Sequence, residues 1–138
     1  MSTVLLLQSD PALGETWRLG LESSGHTVVA VTRTRDGVDQ VRGGGIDIVI
    51  IDSLEWGAEL EDMVAAMDRL PDSPPLVLVS SSPDAPEISA RIGAAAFLAK
   101  PCSAEELHEA VHRFSGIPAS DMVDDEPTRP LEQGRKSK

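Results

Sequence analysis

The sequence is poor in aromatic residues, cysteine and positive charge, and each shortage excludes a class of protein. Its 138 residues include two Trp, two Phe and no Tyr, so the core must be built from aliphatic residues and Met. One cysteine excludes an internal disulfide. Twelve basic and 23 acidic residues give a net charge of -11, which repels nucleic-acid phosphates and anionic membranes. No apolar run approaches the roughly 18 residues of a membrane span. We therefore expect an acidic, cytoplasmic domain that binds neither nucleic acid nor membrane.

Five short apolar runs predict the strands of a sheet. They are continuous rather than alternating, which is typical of parallel strands covered on both faces. The runs occupy residues 4–7, 28–31, 46–51, 76–79 and 95–98.

Segments with helical spacing separate these runs. Asp10 and Pro11 are start signals for the first helix, and Ser103 and Glu106 form the signature of a capping box before the last one. Residues 86–92 have room for only a short helix. The apolar stripes of the helices predict burial of Leu13, Leu21, Val64, Val111 and Phe114. The alternation of strands and helices predicts an α/β fold over residues 1–115, with a doubly wound, five-stranded parallel sheet. Residues 116–138 are rich in proline and charge, and we expect them to form a flexible tail.

Polar side chains follow four of the predicted strands, at the edge where such folds bind ligands. The first strand is followed by Gln8, Ser9 and Asp10. Later strands are followed by a carboxylate, two hydroxyls and an ammonium, which belong to Asp52, Ser80, Ser81 and Lys100. Lys100 is the single lysine before the predicted tail. The sequence therefore predicts a small polar site at this edge.

Three segments resemble successive landmarks of bacterial response-regulator receiver domains, the CheY-like family. They read "IDIVIIDSL", "PPLVLVSSS" and "GAAAFLAKPCSAEEL", and the resemblance extends from Thr3 to about Phe114. It implies a flavodoxin-like receiver fold with strand order 2-1-3-4-5 and a role in two-component phosphorelay signalling. By position, Asp52 matches the phosphoacceptor, Ser80 (with Ser81 beside it) the switch hydroxyl, Lys100 the lysine at the acyl phosphate and Phe97 the rotating aromatic residue.

The sequence departs from the family where the first strand ends. Gln8 and Ser9 stand in place of the acidic pair that binds Mg²⁺, and Asp10 is interpreted as a helix cap. The remaining metal ligands would be Asp52, Asp10, Ser9 and the Leu54 backbone, so we expect Mg²⁺ to bind weakly or not at all. In that case Lys100 is expected to pair with Asp52.

The leading interpretation is a stand-alone, divergent receiver domain that acts through protein contacts and is not an enzyme. Its expected partners are a histidine kinase, another signalling protein or a second copy of the chain. A conventional Mg²⁺-dependent phosphoacceptor is the first alternative. A small flavodoxin-like enzyme with Asp52 as its nucleophile is the second, although the sequence offers no paired general base and no nucleotide-binding loop.

Two other features have simple structural explanations. His108 and His112 have a spacing that can hold zinc, but no third ligand is evident, and we interpret them as helix-terminal residues. Cys102 is expected to be buried as a small hydrophobic side chain rather than to act as a nucleophile.

Overall fold

Strands and helices alternate along the whole described part of the chain. The computed structural model describes residues 2–52, 58–70 and 73–115. The strands are β1 (Thr3–Leu7), β2 (Thr27–Val31), β3 (Ile48–Asp52), β4 (Leu76–Ser80) and β5 (Ala96–Ala99). The helices are α1 (Pro11–Ser23), α2 (Thr34–Gly43), α3 (Ala58–Asp68), α4 (Ala85–Ile92) and α5 (Ala104–Phe114). The predicted tail at 116–138 lies outside the described residues. None of these five helices combines the length and apolarity that crossing a bilayer would require.

The five strands form one parallel sheet in the order β2-β1-β3-β4-β5. This confirms the predicted fold class and strand order. The predicted strand ends differ from the observed ones by one or two residues. The largest difference is at β3, which starts at Ile48 rather than at residue 46, because Asp47 lies just before the strand and accepts a hydrogen bond from the Thr3 backbone N–H through its side chain (2.9 Å).

Both faces of the sheet are covered by helices, which explains the continuous apolar runs. Along β1, Val4 and Leu6 belong to a cluster that includes side chains of α1 and α5, whereas Leu5 and Leu7 belong to a second cluster with side chains of α2, α3 and α4. The members contributed by helices include Trp17, Leu21, Leu107 and Val111 in the first cluster and Val41, Met63, Met67 and Ile88 in the second. Of the residues predicted to be buried, Leu21 and Val111 are fully so, and Leu13, Val64 and Phe114 are half-buried.

Helix α1 has well-defined ends. Its first turn is capped by the Asp10 carboxylate, which accepts hydrogen bonds from the N–H groups of Ala12 (3.0 Å) and Leu13 (3.4 Å), so the predicted cap is confirmed. At the other end Gly25 adopts a positive φ of 98° and the His26 N–H donates to the Leu21 carbonyl (3.2 Å). This is a Schellman motif, and it fixes the direction in which the chain leaves the helix.

Helix α5 packs closely against α1. It begins with the predicted capping box, in which Ser103 and Glu106 satisfy each other's backbone N–H groups. A Cβ atom at Gly20 of α1 would lie 2.5 Å from the Cβ of Ala104, so the two helices approach at a point where only glycine fits.

Strand β2 is one edge of the sheet and is the least buried strand. It pairs with β1 alone among the described strands, and none of its five residues is fully buried. The central strands β1, β3 and β4 are almost entirely buried. Their carboxyl ends therefore provide the rigid base of the polar site.

Candidate functional site

The polar site lies where β1 and β3 end side by side. After β1 the chain runs to β2 on one side, whereas β3 lies on the other, so this is the point at which the winding of the sheet reverses. The Gln8 backbone N–H donates to the Val31 carbonyl (3.0 Å) and extends the β1–β2 pairing by one step. Gln8 is thereby held next to the last residue of β3, which is Asp52.

Asp52 forms an ion pair with Lys100. The Lys100 Nζ lies 2.7 Å from Asp52 Oδ2, and the side chains are 4% (Asp52) and 23% (Lys100) exposed. The lysine is positioned by its own backbone, because its N–H donates to the Ser80 carbonyl at the end of β4 (3.1 Å). Since the pair is largely shielded from water, its electrostatic attraction is stronger than that of a surface pair.

Gln8 contributes a second donor to the same carboxylate oxygen. Its Nε2 amide donates to Asp52 Oδ2, and its Oε1 accepts a hydrogen bond from the Asp10 backbone N–H (2.9 Å). The side chain is buried, with the residue only 4% exposed, and it packs beside Gly14, where an added Cβ would lie 3.4 Å from Gln8 Cγ. Because the Asp10 N–H requires an acceptor, the amide nitrogen of Gln8 is the end that must face Asp52.

The residues that surround Asp52 do not fit Mg²⁺. This ion prefers anionic and neutral oxygen ligands, and here the carboxylate oxygen is contacted by an ammonium and an amide N–H₂ group. Ser9 is exposed, and the Asp10 carboxylate is occupied by the two N–H groups of the helix cap. Leu54, the remaining predicted ligand, lies outside the described residues.

The other predicted site residues differ in how close they come to this cluster. Ser80 is buried, and its Oγ accepts a hydrogen bond from the Ser82 N–H (3.0 Å), whereas Ser81 is exposed. Phe97 is buried in β5 beside Leu78, where it belongs to the second core cluster. The structure thus brings together Asp52, Lys100 and the backbone of Ser80, with Ser81 facing solvent.

Cys102 is half-buried near the ion pair, as a small residue packed against the first core cluster. Burial raises the pKa of its thiol to about 11, and the negative charges of Glu106 and Asp52 act in the same direction, against the opposing effect of Lys100. A thiol with so high a pKa is a weak nucleophile at neutral pH.

Sequence reasoning missed two contacts. The sequence pattern identifies Gln8 as a lost metal ligand but not as a donor to Asp52. It also gives no sign that His108 contacts His26, whereas the structure places His108 Nδ1 3.0 Å from Nε2 of His26. Within the described ranges, no group of three His, Cys, Asp or Glu side chains is arranged to hold a metal ion.

Comparison with known proteins assigns the fold to one family. The sequence profile of the family described as "Response regulator receiver domain" matches residues 4–112. A putative response regulator from Chloroflexus aurantiacus has a TM-score of 0.73 at 22% identity, with 82% of this chain and 96% of that chain covered. A CheY-like receiver domain protein from Methanospirillum hungatei has a TM-score of 0.71 at 17% identity, with 91% and 99% covered. At these identities the likeness of the structures establishes the fold alone. A comparison with curated proteins gives no match.

Proposed function

Because the chain belongs to the response-regulator receiver family, we propose that it is a phosphorelay receiver module with a degenerate metal site. In this proposal Asp52 occupies the phosphoacceptor position and is held in one state by Lys100 and Gln8. The observation that carries the proposal is the double occupation of Asp52 Oδ2, by an ammonium at 2.7 Å and by an amide group.

The physical reason lies in the charge that phosphoryl transfer has to accommodate. A carboxylate is a poor nucleophile, and the incoming phosphoryl group is itself negative, so the reaction needs nearby positive charge. Lys100 supplies one positive charge, but that charge is already neutralised by Asp52. Gln8 and Ser9 are neutral and add no ligand charge that would attract a divalent cation. We therefore propose that Mg²⁺ binds weakly or not at all at millimolar concentration and that phosphorylation of Asp52 is slow.

We further propose that the module signals through protein contacts. Receiver domains interact with histidine kinases and effector domains. The proposed partner of this chain is therefore a histidine kinase, another signalling protein or a second copy of the chain. A net charge of -11 disfavours direct binding to nucleic acid.

Acetyl phosphate, a small phosphoryl donor, tests the proposal. Wild-type protein, the double variant Gln8→Asp/Ser9→Asp and the same double variant with Asp52→Asn are incubated with donor and Mg²⁺, and intact masses are recorded over time. We expect one added phosphoryl group in the double variant, none in its Asp52→Asn derivative, and little or none in wild type over the same period.

Two results would contradict this proposal. Rapid stoichiometric modification of wild type at Asp52 would show that Gln8, Ser9 and Asp10 form a working variant of the site and that the domain is a conventional phosphoacceptor. Sustained hydrolysis of phosphate esters by wild type, lost in Asp52→Asn, would instead indicate an enzyme.

A further inference from the structure

All three histidines of the chain gather on one side of the fold. His26 follows α1, and His108 and His112 lie on α5. His26 Nε2 is 3.0 Å from His108 Nδ1, with ring centroids 5.1 Å apart, and the centroids of His108 and His112 are separated by 6.3 Å. The closest pair therefore joins the end of α1 to the middle of α5 by a direct ring-to-ring hydrogen bond.

The surroundings of His26 select one neutral form of its ring. The backbone is fixed by the Schellman motif, and the Nδ1 atom is buried with no hydrogen-bond partner among the described residues. Buried N–H groups without an acceptor are rarer in proteins than buried acceptors without a donor, which favours the bare form of this nitrogen. The proton of the neutral ring therefore belongs on Nε2, from which it is donated to a bare Nδ1 on His108.

Adding protons breaks this arrangement in two ways. A cationic His26 must carry a proton on its buried Nδ1, which has no acceptor there. If His108 is protonated as well, two N–H groups point at each other across 3.0 Å and two positive charges come into contact. The contact therefore requires that at least one ring stay neutral, and only the neutral His26 ring leaves its buried Nδ1 without an unsatisfied N–H.

We propose that the His26–His108 contact is a proton-operated latch between the end of α1 and α5, closed at neutral pH and opened in mildly acidic solution. The two helices also meet at Gly20 and Ala104, and each begins three or four residues after a residue of the Asp52 cluster, Gln8 for α1 and Lys100 for α5. Opening the latch would thus loosen the helix layer that leads into the polar site. The proposal does not depend on whether Asp52 is phosphorylated.

The electrostatic surroundings of His26 act in the direction that the latch requires. Desolvation lowers the pKa of His26, and the positive charges of His108, the amino terminus and His112 lower it further. A histidine with a pKa lowered by folding takes up a proton when the protein unfolds. Its contribution to stability is therefore complete above the ordinary pKa of about 6.5 and is lost as the pH falls through the interval toward the lowered pKa.

The test combines NMR of the wild-type imidazoles with matched variants. At pH 8, long-range ¹H–¹⁵N spectra should show a protonated Nε2 and a bare Nδ1 on His26, with a bare Nδ1 on His108. In urea unfolding, we expect the folding equilibrium constant to fall by up to about tenfold per pH unit below pH 6.5. His26→Gln retains a neutral amide at the Nε2 position, so it should fold and show a much smaller slope. His108→Asn retains an acceptor at the Nδ1 position and removes only the neighbouring positive charge, so it should fold and show an intermediate slope.

His112→Gln is the control, because its ring does not take part in the 3.0 Å contact and it should keep most of the wild-type slope. The proposal is refuted if His26 titrates at or above the ordinary pKa in wild type. It is also refuted if His26→Gln keeps the full pH dependence of the folding equilibrium constant. It is equally refuted if the neutral His26 ring carries its proton on Nδ1. The wild-type spectra decide the question even if a variant fails to fold.

Discussion

Replacing Gln8 with Glu would convert the donor that faces Asp52 into a second carboxylate of the same length. Length matters here, because Gln8 is buried and packs beside Gly14. Two effects add. A hydrogen bond to a charged acceptor is worth about 1.5–3 kcal/mol. Two like charges about 4 Å apart repel by about 4 kcal/mol at an effective dielectric constant of 20, and Lys100 offsets part of this. We expect Gln8→Glu to lower the free energy of unfolding by about 3–5 kcal/mol at neutral pH.

Gln8→Met separates the two effects, since it removes both hydrogen bonds of the Gln8 side chain, keeps the approximate shape and adds no charge. It should cost about 1–3 kcal/mol. The assay is urea unfolding followed by circular dichroism, with EDTA and with millimolar Mg²⁺. We expect Mg²⁺ to stabilise Gln8→Glu, by about 1.4 kcal/mol at a concentration tenfold above the dissociation constant, and to leave Gln8→Met and wild type nearly unchanged.

Either of two results would contradict this prediction. If Gln8→Glu were no less stable than Gln8→Met in EDTA, the amide of Gln8 would not be facing a charged Asp52. If Mg²⁺ stabilised wild type as much as Gln8→Glu, the metal site would not be degenerate.

Two further predictions concern the contact between α1 and α5 and the thiol of Cys102, two residues before α5. Gly20→Ala should destabilise the protein by about 1–3 kcal/mol, because the added Cβ would lie 2.5 Å from that of Ala104; this outweighs the helix preference of alanine, which is about 1 kcal/mol. Ala104→Gly should restore stability in the double variant. A raised melting temperature of the Gly20→Ala protein would contradict this prediction. The rate at which iodoacetamide alkylates Cys102 in the native protein should keep rising above pH 9, because burial raises the pKa of the thiol to about 11. In urea the rate should level off near pH 9. A rate that also levels off near pH 9 in the native protein would show an ordinary, exposed thiol.

The fold could be predicted because its determinants are local in sequence. The continuous apolar runs follow from strands buried on both faces, and the Asp10 cap and the Ser103–Glu106 capping box are contacts between residues two or three positions apart. Strand ends were less certain, since they depend on the neighbouring strand: β3 starts where pairing with β1 and β4 allows rather than where its apolar run begins.

The candidate site could be predicted only in part. The residue types at the strand ends were enough to predict that Asp52 and Lys100 lie close together. The role of Gln8 could not be deduced, because an amide offers both a donor and an acceptor, and the position of the Asp10 N–H decides which of them faces Asp52. The His26–His108 contact joins residues 82 positions apart and depends on how closely α1 and α5 pack.

The exposed strand β2 has a consequence for how concentrated solutions of this protein behave. Its outer edge pairs with no other strand of the described residues, so the backbone groups of the uncharged sequence TVVAV are a template for pairing with another chain. At neutral pH, mutual repulsion between molecules of charge -11 opposes such pairing. That repulsion vanishes near the isoelectric point of about 4.5, so acidification should turn this edge into the place where aggregation starts. A lysine in place of Ala30, whose side chain is exposed, would protect the edge at that pH.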